Sequence, residues 1–154
     1  MKITFKNEHI IGALRGTVAF EAIDELIGCA VLTGAIAPDA AKNVTLAVKQ
    51  REQSMSTGVG FGVAIPHAAV DPIEEVIIAF GRSLAGIEFD SLDGQPVRFV
   101  ALILVPVGER EKHLPTLARV SRLLHRKEIR AALETAADVE AIANILNEKP
   151  VVPA

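Results

Sequence analysis

The sequence predicts an α/β fold: a single domain in which a mixed β-sheet is flanked by helices on both faces. Two segments with apolar residues at helical spacing precede a glycine-rich loop, two nearly continuous apolar runs at residues 76–80 and 99–105 follow it, and further helical segments close the chain. Runs of that kind belong to strands covered on both faces, which requires helix layers above and below the sheet. A length of 154 residues suits one hydrophobic core, so residues 1–154 are read as one domain.

The elements follow in order. Thr17 is placed to cap a helix over residues 18–32, where Val18, Ala22, Ile23, Leu26, Ile27 and Ala30 share a face and Gly34 ends the run. Cys29 falls on the same face as a small core residue; as the only cysteine it allows neither an intrachain disulfide nor a cysteine metal cluster. Pro38-Asp39 opens a second helix to about residue 52, with Val44, Leu46, Ala47 and Val48 toward its buried side and Met55 filling a gap beyond it. Strands are predicted at 63–65, 75–81 and 97–105, the last two joined by the turn-forming stretch 90–96. Helices follow from about residue 112 to 124, then 127–136 and 138–147, with the charged run 125–130 as a solvated turn and 148–154 as a flexible tail.

Composition excludes several functions. A net charge of −3 with no Trp or Tyr offers neither the basic footprint nor the stacking platform of a nucleic-acid binder. The apolar runs are too short to cross a bilayer and no signal-peptide core precedes Gly16, so a cytoplasmic protein without direct membrane insertion is expected. The histidines are scattered without metal-ligand spacing, and no metal or cofactor is expected.

Residues 56–69 carry the functional signal. Gly58, Gly60 and Gly62 form a loop whose backbone can pass close to another group, and a short apolar strand then ends in Pro66-His67. Pro66 lacks an N–H, so the chain is expected to leave the ladder there and present His67 at the sheet's end. With an ordinary pKa of about 6.5, roughly three quarters of such a ring is neutral at pH 7 and keeps a lone pair for attack. The alternative is a polar residue that only caps a strand.

A second histidine is placed by Pro115, which belongs in the first turn of a helix and so puts His113 at its start. Residues 113, 117, 120 and 124 share a face, so His113 should point inward, where it either bonds a backbone carbonyl or joins the helix N-terminus in meeting an anion. His125, at the other end with Arg126 and Lys127, reads as structural, and His9 has no interpretable context.

These residues resemble a known family. Arg51-Glu52, then Ser-Thr-Gly-Val-Gly-x-Gly-Val-Ala-Ile-Pro-His ending at His67, then His113-Leu-x-x-Leu-Ala-x-Val-Ser-x-Leu-Leu, resemble the fructose- and mannitol-type enzyme IIA of the bacterial phosphoenolpyruvate-dependent phosphotransferase system, including its nitrogen-regulatory members. The resemblance covers about residues 5–148. It implies that His67 takes a phosphoryl group from HPr, or the nitrogen-regulatory paralogue of HPr, and hands it to a IIB domain or uses it to control a kinase or transporter. It also implies that His113 supports the phosphoryl group and that Arg51 lies near it, although an exposed arginine at a helix end can equally be just solvated. Phe61 stands where the family more often has a polar residue, and Ala68 where it has glycine; an exposed Phe61 beside the site would offer a contact surface to a partner. Two readings from other classes remain beside phosphotransfer: a regulatory module that acts by binding, and a ligand-binding domain that has lost the transfer.

Overall fold

The computed structural model describes residues 3–149; the part of the predicted tail beyond Lys149 lies outside them. Among the described residues one six-stranded mixed sheet is formed by β1 (Ile10–Ile11), β2 (Gly58–Gly60), β3 (Val63–Ala64), β4 (His67–Val70), β5 (Ile77–Ile87) and β6 (Val97–Pro106). The order is β1-β5-β6-β3-β2, and β4 continues beside β6 where β3 leaves off. Helices α1 (Ala19–Leu32) and α2 (Ala41–Ser54) cover one face; α3 (Leu114–His125), α4 (Lys127–Thr135) and α5 (Val139–Leu146) cover the other.

The alternation of β6 builds both cores. Val100, Leu102 and Leu104 enter the cluster with Ile23, Leu26 and Val44, whereas Phe99, Ala101, Ile103 and Val105 enter the one with Val120, Leu124 and Leu133. Successive strand side chains point to opposite faces, so a strand buried on both has to be apolar throughout.

Several local expectations are corrected. Val18, not Thr17, occupies the N-cap of α1, and the Glu21 carboxylate reaches back to accept from the backbone N–H and the hydroxyl of Thr17. Pro38–Ala40 forms a 3-10 turn before α2 begins at Ala41. Leu46 is exposed, as is Met55, because the buried side of α2 is set by Val44 and Val48, four residues apart. Cys29 is half-buried and donates to the Glu8 carbonyl rather than sitting in the core. The run 125–130 is a helix joint: Arg126 pairs with Glu128 and Glu148, and the Arg130 guanidinium meets the carbonyls closing α3. Glu148 and Lys149 are tied back onto α5 through the carbonyls of Ile145 and Asn144.

Strand β5 outruns its predicted end because Arg82 and Ser83 are buried. The Arg82 guanidinium donates to the carbonyls of Gly12, Leu133 and Ala136, which satisfies a charge that sequence patterning assigns to solvent.

Candidate phosphoryl-transfer site

The glycine loop is a tight hairpin between β2 and β3. Phe61 and Gly62 are its two central residues, at φ 59° and 78°, the left-handed pair that a type I′ turn requires. Phe61 holds this conformation although bulky residues there are disfavoured by about 1–2 kcal/mol. Its N–H is fixed by the Asp93 carboxylate at 3.0 Å, and its ring meets His125 edge-on at 5.0 Å with the Arg130 guanidinium 5.1 Å from the centroid. At Gly58 the backbone runs so close to Ser91 that an added Cβ would collide with it.

Pro66 does not release the chain from the sheet. Its carbonyl accepts from the Ile103 N–H at 2.9 Å, and His67 pairs with Ile103 as the first residue of β4. His67 therefore begins a strand at the margin of the sheet, and the chain stays on the ladder at Pro66 instead of leaving it as expected. Register puts it on the side of Ile103, which faces the α3–α5 layer.

A chain of hydrogen bonds orients the ring. The buried Glu52 carboxylate accepts from Thr57 N–H at 2.8 Å and Thr57 Oγ1 at 2.6 Å; the Thr57 carbonyl accepts from Ile65 N–H at 3.1 Å; and the Ile65 carbonyl lies 2.8 Å from His67 Nδ1. A carbonyl can only accept, so Nδ1 carries the proton and Nε2 the lone pair. Burial holds the His67 pKa below its ordinary value; the Ile65 bond and Glu52 oppose this, while the positive charges of Arg51 and Arg110 reinforce it. At neutral pH the ring is neutral and nucleophilic at Nε2.

A cavity of about 230 Å³ adjoins this ring, lined by Arg51, Arg110, Ala47 and Leu117 among others. Arg51 reaches it from the end of α2, with one arm of its guanidinium 3.0 Å from the Met55 carbonyl. His113 is buried, as its helical phase requires, but it is not part of the cavity wall; Leu117, one turn along α3, is. Its Nε2 lies 3.7 Å from a Glu109 carboxylate oxygen, and its Nδ1, sealed from solvent, has no hydrogen-bond partner among the described residues. Phe61 is remote from His67: its neighbour Gly62 meets β6 at Arg98, five residues or about 16 Å along the strand from Ile103, the partner of His67. Sequence reasoning missed Arg110, whose only signal was its place three residues before His113, and the anchoring part of Glu52, whose burial no pattern announces.

A family model described as phosphoenolpyruvate-dependent sugar phosphotransferase system, EIIA 2, matches residues 4–149. The chain belongs to this family. The fructose-specific EIIA component of Haloferax volcanii is 38% identical over 128 residues, covering 82% of this chain and 81% of that one. A nitrogen regulatory protein of Bradyrhizobium diazoefficiens is 38% identical over 144 residues, 93% of this chain and 92% of its own. A match at 45% identity to the fructose-specific EIIABC component of Bacillus subtilis spans only 16% of that larger protein. Among solved structures, the nitrogen regulatory protein IIA-Ntr of Neisseria meningitidis superposes with a TM-score of 0.83 at 27% identity, over 92% of this chain and 95% of the other. The mixed sheet between two helix layers is thus the architecture of this IIA family. No helix among the described residues is long and apolar enough to cross a membrane.

Proposed function

We propose that this chain is a phosphocarrier that accepts a phosphoryl group on His67 from HPr or its nitrogen-regulatory paralogue, in the cytoplasm, and passes it to a IIB domain. The observation that carries this reading is the Nδ1–Ile65 hydrogen bond, which leaves the Nε2 lone pair on a neutral ring beside two guanidinium groups. In the step, the donor's N–P electrons return to the donor nitrogen, the Nε2 lone pair forms the new N–P bond, and the Nδ1 proton stays on Nδ1, donated to the Ile65 carbonyl. Transfer of this kind needs alignment and charge compensation more than acid–base chemistry. Arg51, on the cavity wall, supplies part of that compensation; His113 lies outside that wall, and its support of the phosphoryl group requires a rearrangement that brings its buried, unpaired Nδ1 to the cavity.

With phosphoenolpyruvate, enzyme I and HPr supplied, His67→Ala is expected to abolish labelling, and labelling at the wild-type level rejects the nucleophile. His113→Ala is expected to fold and to slow transfer by about 10²-fold, the scale of one positioned electrostatic donor; an unchanged rate makes His113 structural.

A second reading is favoured by the 38% identity over nearly the full length to a nitrogen regulatory protein. Here the phosphorylation state of His67 selects which protein is bound and no sugar moves. A pull-down comparing the phosphorylated protein with His67→Ala separates the two: recovery of a IIB domain supports transfer, and recovery of a kinase or transporter supports regulation.

A further inference from the structure

We propose that Arg110 is a second phosphoryl-binding arginine, which together with Arg51 flanks His67 and neutralises the equatorial oxygens of the group in transfer. The inference rests on the phosphocarrier reading above and adds to it a residue that neither the motifs nor the family resemblance singles out.

Three observations support it. Arg110 lines the same cavity as His67 and Arg51, although it comes from a different part of the chain. Arg51 ends α2, whereas Arg110 follows the turn after β6, where Gly108 adopts φ 90°, and precedes the Glu111–His113 turn. Two cations from different elements therefore converge on one ring.

The second observation is that the Arg110 guanidinium is available. It is exposed and makes no hydrogen bond or ion pair among the described residues. The neighbouring carboxylate of Glu109 is occupied elsewhere, 3.1 Å from Lys112 Nζ and 3.7 Å from His113 Nε2. Elsewhere on the surface, Arg98, Arg126 and Lys49 are paired with acids.

The third is electrostatic. The Arg110 charge acts on the His67 ring and disfavours its protonation, so it faces the nucleophile closely enough to be felt. Neither the Arg51 nor the Arg110 guanidinium is paired with a carboxylate among the described residues, and a planar fork of donors matches phosphate oxygens. The phosphoryl group brings about two negative charges, one for each arginine.

The test uses the full chain and phosphoramidate, a small donor that phosphorylates histidine without protein docking, alongside phosphorylated HPr. Arg110→Ala is expected to lower the saturated rate of His67 phosphorylation by phosphoramidate about 10- to 100-fold, with Arg110→Lys recovering part of the loss through charge without the fork. In ring ¹⁵N NMR, His67 of Arg110→Ala is expected to titrate at higher pH than the wild type. Wild-type rates with phosphoramidate for Arg110→Ala overturn the proposal. So does a loss confined to KM for phosphorylated HPr, which reassigns Arg110 to partner docking. Failure of the wild-type protein to be modified at His67 by either donor sinks the phosphocarrier reading itself, a result that the arginine variants do not produce.

Discussion

His67 owes its chemistry to a neighbour that is not a side chain. The Ile65 carbonyl selects the tautomer, and burial, assisted by Arg51 and Arg110, keeps the ring deprotonated. Because the folded pKa lies below the ordinary value of about 6.5, the acid limb of phosphohistidine formation is expected below pH 6.5. Arg51→Ala removes one of the opposing charges and should move that limb upward. A rate profile measured from pH 5 to 8 on both proteins checks this, and a wild-type limb at or above 6.5 contradicts it. The motif Pro66-His67 was legible as a placed histidine, but its tautomer was not, since nothing in the order of residues says which carbonyl the ring will meet.

At the scale of elements, the joint between α2 and the glycine loop is held by Glu52. Glu52→Leu keeps most of the bulk but accepts from neither Thr57 donor, so buried polar groups are left unsatisfied at about 1–3 kcal/mol. The expected result is a lower urea midpoint together with a mixed His67 tautomer in ring ¹⁵N shifts; a single unchanged tautomer would show that Thr57 and Ile65 hold the ring unaided. Strand β6 shows the same contrast between pattern and context. Leu102→Ala, fully buried, is expected to cost about 2–5 kcal/mol, whereas Leu46→Ala on the outer side of α2 should stay within about 0.5 kcal/mol, both measured by denaturant unfolding. Helix phase was readable for α1 and α3, where apolar positions repeat over several turns. The short strands β1, β2 and β4 were not readable, because a period-two pattern needs more residues than they contain, whereas β3 lies within the predicted strand 63–65.

For the whole molecule, the edge of the sheet is where the two helix layers meet the reactive ring. His9 and His67 sit in different parts of the fold, and burial lowers the pKa of each. The unfolded chain binds more protons than the native one between those folded values and about 6.5, so their contribution is fully present above pH 6.5 and is lost as pH falls through the folded pKa values. Unfolding midpoints are accordingly expected to fall from pH 7.5 to pH 5.5, and His67→Ala should flatten part of that slope. An equal slope in the variant would mean that His67 titrates alike in both states.

The amino-acid order by itself determined the α/β class, the two helix layers, the inward face of α3 and the prominence of His67, because each rests on local periodicity or on the fixed geometry of proline and glycine. Only the tertiary structure decided that Arg110 joins Arg51 at the cavity beside the ring, that Glu52 anchors the loop and that the Phe61 turn meets β6 five residues away from the partner of His67. Those facts depend on strand register and on which edge of the sheet each loop reaches, and contacts between distant segments leave no periodic trace in the chain.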